Sequence, residues 1–201
     1  MGDSLVNEKV DIVSTGHPAI NKALGIGGLP LGRIVEIMGM EGGGKTTLAL
    51  HVIKEAQKKG LACALIDTEH AIDRERAEFI GVDFQKLAIS QPDSSENALE
   101  LLDFLTRSGV FGVIVVDSVA ALTPQAEIEG EMSDSTIGLQ ARLMSKVLRK
   151  IVGPANKSKT MIVFTNQLRA VISFFHKSKV RSRSGSVSSK LNVSSIDTFG
   201  L

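Results

Sequence analysis

The run Gly39-Met40-Glu41-Gly42-Gly43-Gly44-Lys45-Thr46 constrains this chain more than any other, because it satisfies G-x-x-x-x-G-K-[ST] between an apolar strand and an amphipathic helix. The strand is predicted over residues 34–38. The helix is predicted over residues 45–59, where Leu48, Ala49, Val52, Ile53 and Ala56 recur at spacings that form one apolar face. Glycines let the backbone fold back so that several N–H groups point inward, and a helix N-terminus adds roughly half a positive charge. Such a loop cradles phosphate, with Lys45 reaching the outer phosphates and the Thr46 hydroxyl ligating Mg²⁺. A chance glycine-rich turn is the plain alternative, and the strand–loop–helix context argues against it. Residues Gly39 to Thr46, with Thr47 next in the helix, are therefore the candidate nucleotide contacts.

A magnesium nucleotide also needs a carboxylate at the end of another buried strand. Val113-Ile114-Val115-Val116-Asp117 supplies one: four consecutive β-branched residues read as a strand buried on both faces, and Asp117 emerges where parallel sheets bind ligands. Alone, an Asp after an apolar strand is a turn residue; beside the phosphate loop it is a metal ligand. A third strand, residues 61–67, leads into Asp67-Thr68-Glu69-His70-Ala71-Ile72-Asp73.

Asp93-Ser94-Ser95-Glu96 reads as a capping box opening a helix to Arg107, with Leu99, Leu102 and Leu105 inward and Gly109 ending it. A helix over residues 137–151 turns Met144, Val147, Leu148 and Ile151 inward. A strand over residues 160–165 follows, with Asn166 and Gln167 at its mouth. Strands alternating with helices specify an α/β fold, a mainly parallel sheet flanked by helices. Residues 124–135, rich in Glu and Gly with weak periodicity, read as a mobile surface loop.

Five segments together resemble the bacterial-type RecA recombinases: Asp67 to Asp73 as quoted, Gly28-Leu29-Pro30-Leu31-Gly32-Arg33-Ile34-Val35-Glu36-Ile37, Val115-Val116-Asp117-Ser118-Val119-Ala120-Ala121-Leu122, Glu127-Ile128-Glu129-Gly130-Glu131, and Asn166-Gln167-Leu168-Arg169. The resemblance runs from about Val13 to about Arg169 and thins out through Phe175. It implies a RecA-like P-loop NTPase core that binds ATP and Mg²⁺, assembles as a homo-oligomeric filament on single-stranded DNA, and hydrolyses ATP in DNA-dependent fashion during recombination and repair of DNA damage. By the same resemblance Glu69 is the general base that orients water, and Gln167 senses the γ-phosphate and signals to a DNA-binding loop. The plain alternatives are a solvated carboxylate and a core-edge amide. Ile137 and Ile172 match the wedges that contact stretched DNA, and Arg142, Arg149 and Arg169 match its phosphate ligands, although each Arg taken alone reads as a surface charge.

Departures accompany the matches. Three residues after Asp73 the family usually has a Tyr that stacks on adenine, and Arg76 stands there instead; a guanidinium can also stack on a base face. Gly42 and Gly43 replace the usual serines, adding backbone freedom, and Ser133 replaces a usual glycine. The family's N-terminal packing helix does not precede residue 10, and after Phe175 the core strands, inter-protomer lysines and C-terminal domain give way to a Ser/Lys-rich tail. The expectation is thus a core over residues 1–170, incomplete on its C-terminal side, followed by a basic, disordered segment over 171–201. Two readings stand: a DNA-dependent ATPase, or a truncated, non-catalytic nucleotide- and DNA-binding remnant unable to form active filaments. Another RecA-fold ATPase, such as a replicative helicase, lacks support from the Asp-Thr-Glu-His and Glu-Ile-Glu-Gly-Glu runs.

Composition narrows the setting. At 201 residues with 43% apolar content, the chain can bury one substantial core. Its one cysteine, Cys63, excludes an intramolecular disulfide framework and lies in a strand predicted to be buried. No apolar run of about 18 residues occurs, so no membrane partner is expected, and the start has neither a secretory nor a transit layout. The net charge of +1 hides a tail in which Lys177, Lys179, Arg181, Arg183 and Lys190 face only Asp197. That tail reads as a solvated end, or as a nonspecific phosphate contact. The expected compartment is the cytoplasm, with mitochondrion or plastid as the alternative for a plant relative.

Overall fold

A computed structural model describes residues 10–122 and 139–167. Five parallel strands form the central sheet: β3 (Ile34–Gly39), β4 (Cys63–Asp67), β5 (Leu87–Ser90), β6 (Val113–Asp117) and β7 (Met161–Gln167), in the order β3-β7-β6-β4-β5. A separate two-stranded antiparallel ribbon joins β1 (Ile12–Val13) to β2 (Leu29–Pro30). Among the described residues β3 pairs with β7 alone in the sheet.

Strand alternation divides the core into two layers, because successive side chains point to opposite faces. Val35, Ile37, Cys63, Leu65, Val113, Val115 and Val163 face α2 (Lys45–Lys58), whose Ala49, Leu50, Val52, Ile53 and Ala56 are buried against them. Ala64, Ile66, Ile114, Val116, Ile162 and Phe164 face the other way, against Leu99 and Leu102 of α4 (Ser95–Ser108) and Met144, Ile151 and Ala155 of α5 (Leu139–Ser158). Strands covered on both sides must be apolar throughout. Cys63 is fully enclosed and burial pushes its thiol up to about 12, so it packs as an inert apolar group.

The described elements follow the expected alternation and differ at their ends. The cap of α4 is Ser94, which accepts from Asn97 N–H, so the helix starts one residue later than the Asp93 capping box requires. The chain continues helically through Gly153 and Pro154 to Ser158. Proline removes one helical N–H, but Ile151 and Ala155 bury against the sheet on either side of it, and packing outweighs local propensity. β7 extends to Gln167, so Asn166 and Gln167 lie in the strand itself. Two short elements lack a sequence signal strong enough to predict. These are α3 (Arg74–Ile80) and β5, whose Ala88 and Ile89 are exposed at the sheet edge. The remaining helical pieces among the described residues are α1 (Pro18–Ala23) and 3₁₀ turns at Phe84–Lys86 and Val119–Ala121. The acidic loop over residues 124–135 and the tail over residues 171–201 lie outside the described residues.

Glu36 provides a test of this packing. It is 4% exposed on β3, and its Oε1 accepts from Asn166 Nδ2 at 2.9 Å across the β3–β7 ladder. Burial holds its carboxyl above the ordinary Glu value, and the Asn166 bond opposes that shift in part. A raised carboxyl pKa stabilises the fold in acid, and that contribution is lost as pH rises through the folded-state value. Glu36→Gln keeps an acceptor for Asn166 and removes the charge. The variant should therefore gain stability relative to the parent as pH rises from about 4 towards neutrality, measured by urea unfolding at each pH. A stability difference that does not change with pH would refute the account.

Candidate functional site

Four strand ends meet at the C-terminal edge of the sheet, and ladder registers set their levels. Gly39 lies opposite Gln167 at the ends of β3 and β7, and Asp67 lies opposite Asp117 at the ends of β4 and β6. The loops leaving these strands enclose a cavity of about 440 Å³. Of the residues singled out in the sequence, Glu41, Gly42, Gly43, Gly44, Lys45, Thr46, Thr47, Glu69, Arg76, Asp117 and Gln167 line it. Gly39, Met40 and Asp73 do not, and they act at one remove. Gly39 closes β3, the Met40 carbonyl accepts from Lys45 Nζ at 2.9 Å, and Asp73 caps α3 by accepting from Arg76 N–H.

The loop geometry demands its glycines. Gly42 and Gly44 have φ of 67° and 79°, the left-handed region that side chains disfavour. At Gly43 an added Cβ would come within 2.8 Å of the Met40 carbonyl oxygen, whose bond from Gly43 N–H is 3.1 Å long. The two glycines that depart from the family's serines thus take up a turn in which a side chain would be strained. Gly44 caps α2, and the first N–H to close back onto the helix is that of Leu48, which bonds the Gly44 carbonyl. The N–H groups of Lys45, Thr46 and Thr47 are those a helix start leaves without intrahelical partners, aimed at an anion.

Two carboxylates, Asp117 and Glu69, stand opposite the loop and a third, Glu41, belongs to it, and each is held by a neutral donor. Asp117 is 8% exposed and accepts from the Thr165 hydroxyl and from Thr46. Burial pushes its carboxyl upward, the two hydroxyl bonds pull it down, and the charges of Glu69 and Asp67 add to the rise. Glu69 Oε1 accepts from Ser118 Oγ at 2.5 Å, and Glu41 accepts from Gln167 Nε2 at 3.2 Å. Among the described residues no group of three or more His, Cys, Asp or Glu is arranged to hold a metal ion. One hydroxyl and one carboxylate are nonetheless the protein ligands that suit Mg²⁺, which binds through few side chains and completes its shell with phosphate and water. The donor set fits a magnesium nucleotide.

Several site residues were not singled out from the sequence. Asp67, 3% exposed, anchors the loop that carries Glu69: its carboxylate accepts from Glu69 N–H at 3.2 Å, Ile72 N–H at 3.2 Å, Ala71 N–H at 3.5 Å and Gln91 Nε2 at 2.8 Å. Thr68 ties the same loop to β6 through its N–H to the Asp117 carbonyl and its hydroxyl to the Ser118 carbonyl. Asp67, Thr68 and Ser118 fall within segments that carry the family resemblance without a role attached to them, and Gln91 and Thr165 have no signal in the sequence. Arg142 and Arg149 are exposed on α5, two turns apart and outside the cavity. Ile137, Arg169 and Ile172 lie outside the described residues.

Comparison with known proteins agrees with these features. The family model described as the RecA N-terminal domain matches residues 1–194, a stretch that continues past Phe175, where the motif resemblance thins out. Curated relatives called Protein RecA include that of Acidiphilium cryptum (strain JF-5), 56% identical over 172 residues, or 86% of this chain and 50% of the relative. That of Thermotoga petrophila is 59% identical over 172 residues, 86% of this chain and 48% of its own length. That of Brucella canis is 60% identical over 164 residues, 82% and 45% respectively. The chain spans about half the length of the curated relatives it matches. Among the described residues no helix is long and apolar enough to cross a membrane.

Removing the Asp67 anchor should loosen the loop. Asp67→Ala strips the acceptor from three half-buried backbone N–H bonds and from Gln91, and a group left unsatisfied away from water costs about 1–3 kcal/mol. We expect a loss of at least about 2 kcal/mol in urea unfolding, with a smaller loss for Gln91→Leu. Unchanged unfolding of Asp67→Ala would contradict the anchoring role.

Proposed function

Because the chain belongs to the RecA family, we propose that it binds and hydrolyses ATP with Mg²⁺ and acts on single-stranded DNA as a recombinase of homologous recombination and repair. The observation that carries this reading is the convergence of Lys45, Thr46, Asp117, Glu69 and Gln167, drawn from four strand ends, on one cavity. Lys45 and the N–H groups of the first turn of α2 hold the phosphates. Thr46 and Asp117 hold the metal, with Thr165 fixing the Asp117 carboxylate. Bound Mg²⁺ would supply charge neutralisation across the outer phosphate oxygens.

Glu69 takes the proton of the attacking water, and Ser118 aims it by donating to one of its oxygens. The backbone of Glu69 is held by buried Asp67, so the base rides on a loop pinned to two strands. Gln167 spans the gap between the phosphate loop, through Glu41, and the segment that leaves β7. This is a physical route by which phosphate occupancy reaches the chain beyond it. For DNA, Arg142 and Arg149 offer exposed cations on one face of α5. Arg169 and the apolar Ile137 and Ile172 follow from the family resemblance, as does assembly into a filament.

Two substitutions separate binding from chemistry. Lys45→Ala should abolish ATP binding at concentrations that saturate the parent, by nucleotide titration. Glu69→Gln should retain affinity while slowing hydrolysis about 10²–10⁴-fold, the size of a positioned acid–base group. Indistinguishable titrations for Lys45→Ala, or unchanged turnover for Glu69→Gln, would remove the corresponding role.

The DNA reading has its own measurement. Affinity for single-stranded DNA should fall with salt at a log–log slope of about −0.7 per phosphate contact. The double variant Arg142→Ala/Arg149→Ala should flatten that slope by about 1.4, on the same relation. An unaltered slope would exclude both residues from the interface.

A further inference from the structure

We infer that Arg76 is a second phosphate-binding cation of the nucleotide site, one that grips the polyphosphate chain through the edge of its guanidinium. The inference rests on the phosphate-loop reading given above. Arg76 lies in the first turn of α3, where Asp73 fixes its backbone by accepting from its N–H at 3.0 Å. Its side chain reaches across to α2, and Nη2 donates to Thr47 Oγ1 at 2.8 Å. Thr47 is the third residue of α2, in the turn whose N–H groups lack intrahelical partners. A guanidinium is a planar fork of five donors. Bonding one of them to Thr47 directs that edge at the phosphate loop and leaves the others for an anion, a geometry that suits bidentate recognition of phosphate oxygens.

Charge points the same way. The cavity lining holds Glu41, Glu69 and Asp117 against two cations, Lys45 and Arg76. Each of those carboxylates is engaged by a neutral donor, from Gln167, Ser118 and Thr165 respectively. Arg76 makes no ion pair among the described residues, so its charge is not spent on the protein. A cavity with three carboxylates and Lys45 alone would carry a formal −2 and repel a polyphosphate. Arg76 halves that excess, and its guanidinium reaches from α3 to Thr47 in the turn of α2 that carries the N–H donors. It also borders a second, more apolar cavity of about 480 Å³, which shares Gly43, Gly44, Lys45 and Thr47 with the first. Arg76 therefore lines both the phosphate cradle and an apolar space, and its Nη2 is tied to the first turn of α2.

A base-free ligand separates edge-on phosphate binding from stacking on a base. Binding of magnesium tripolyphosphate and of magnesium ATP to the full chain is measured by calorimetry at several salt concentrations. For Arg76→Gln we expect about tenfold weaker binding of both ligands, as for one lost charge-assisted hydrogen bond, and a shallower salt dependence. Arg76→Tyr, which offers a stacking face without charge, should lose tripolyphosphate affinity to the same extent. Thr47→Val should give a smaller loss, because it frees the guanidinium without removing it. Unchanged tripolyphosphate binding in Arg76→Gln, with or without a loss of ATP affinity, overturns the inference; a loss of ATP affinity alone would assign Arg76 to the base. Failure of the parent itself to bind either ligand would instead overturn the phosphate-loop reading, and this inference with it.

Discussion

The shared C-terminal edge of the parallel sheet is the constraint on which the site depends. Parallel ladders with β3, β7, β6 and β4 side by side bring Gly39 level with Gln167 and Asp67 level with Asp117. Every group that could act on a nucleotide leaves the sheet from that edge. A slip of one residue in any of these ladders would turn its strand's side chains to the opposite face. The two apolar layers prevent such a slip, because Val163 and Phe164, one residue apart, are each fully enclosed on opposite sides of β7. Core packing and site geometry are therefore one requirement.

A second regularity is the way acidic groups are handled. Glu36, Asp67 and Asp117 are all buried, and among the described residues none of them is paired with a cation. Amides, hydroxyls and backbone N–H groups satisfy them instead. Neutral donors fix a carboxylate in place without cancelling its charge, and an uncancelled charge is what a metal ligand or a proton acceptor requires. Desolvation raises the carboxyls of Glu36 and Asp117 accordingly. Cations are kept for the phosphate side, where Lys45 rests on a carbonyl and Arg76 on a hydroxyl.

The loop that bears Glu69 illustrates how much a short segment can be over-determined. Within it Asp67 collects three backbone N–H groups and the Gln91 amide, and Thr68 adds one bond to the end of β6 and one to Ser118 just beyond it. Glu69 remains exposed at the end of this framework, held at its tip by Ser118. A rigid base on an exposed loop is a reasonable arrangement for a group that must meet water and phosphate together.

The phosphate loop, the strand carrying Asp117 and the strand–helix alternation were legible in the sequence because each is a local matter. Glycine conformations, helix periodicity and unbroken apolar strands depend on residues a few positions apart. Those same local signals underestimated α5, where burial of Ile151 and Ala155 carries the helix through Gly153 and Pro154, and missed the exposed edge strand β5. What only the tertiary structure decided are the pairs that fix the site: Gln91 with Asp67 at a separation of 24 residues, Arg76 with Thr47 at 29, Ser118 with Glu69 at 49 and Asn166 with Glu36 at 130. No local pattern encodes such pairs, since strand order, rather than spacing along the chain, sets which loops become neighbours.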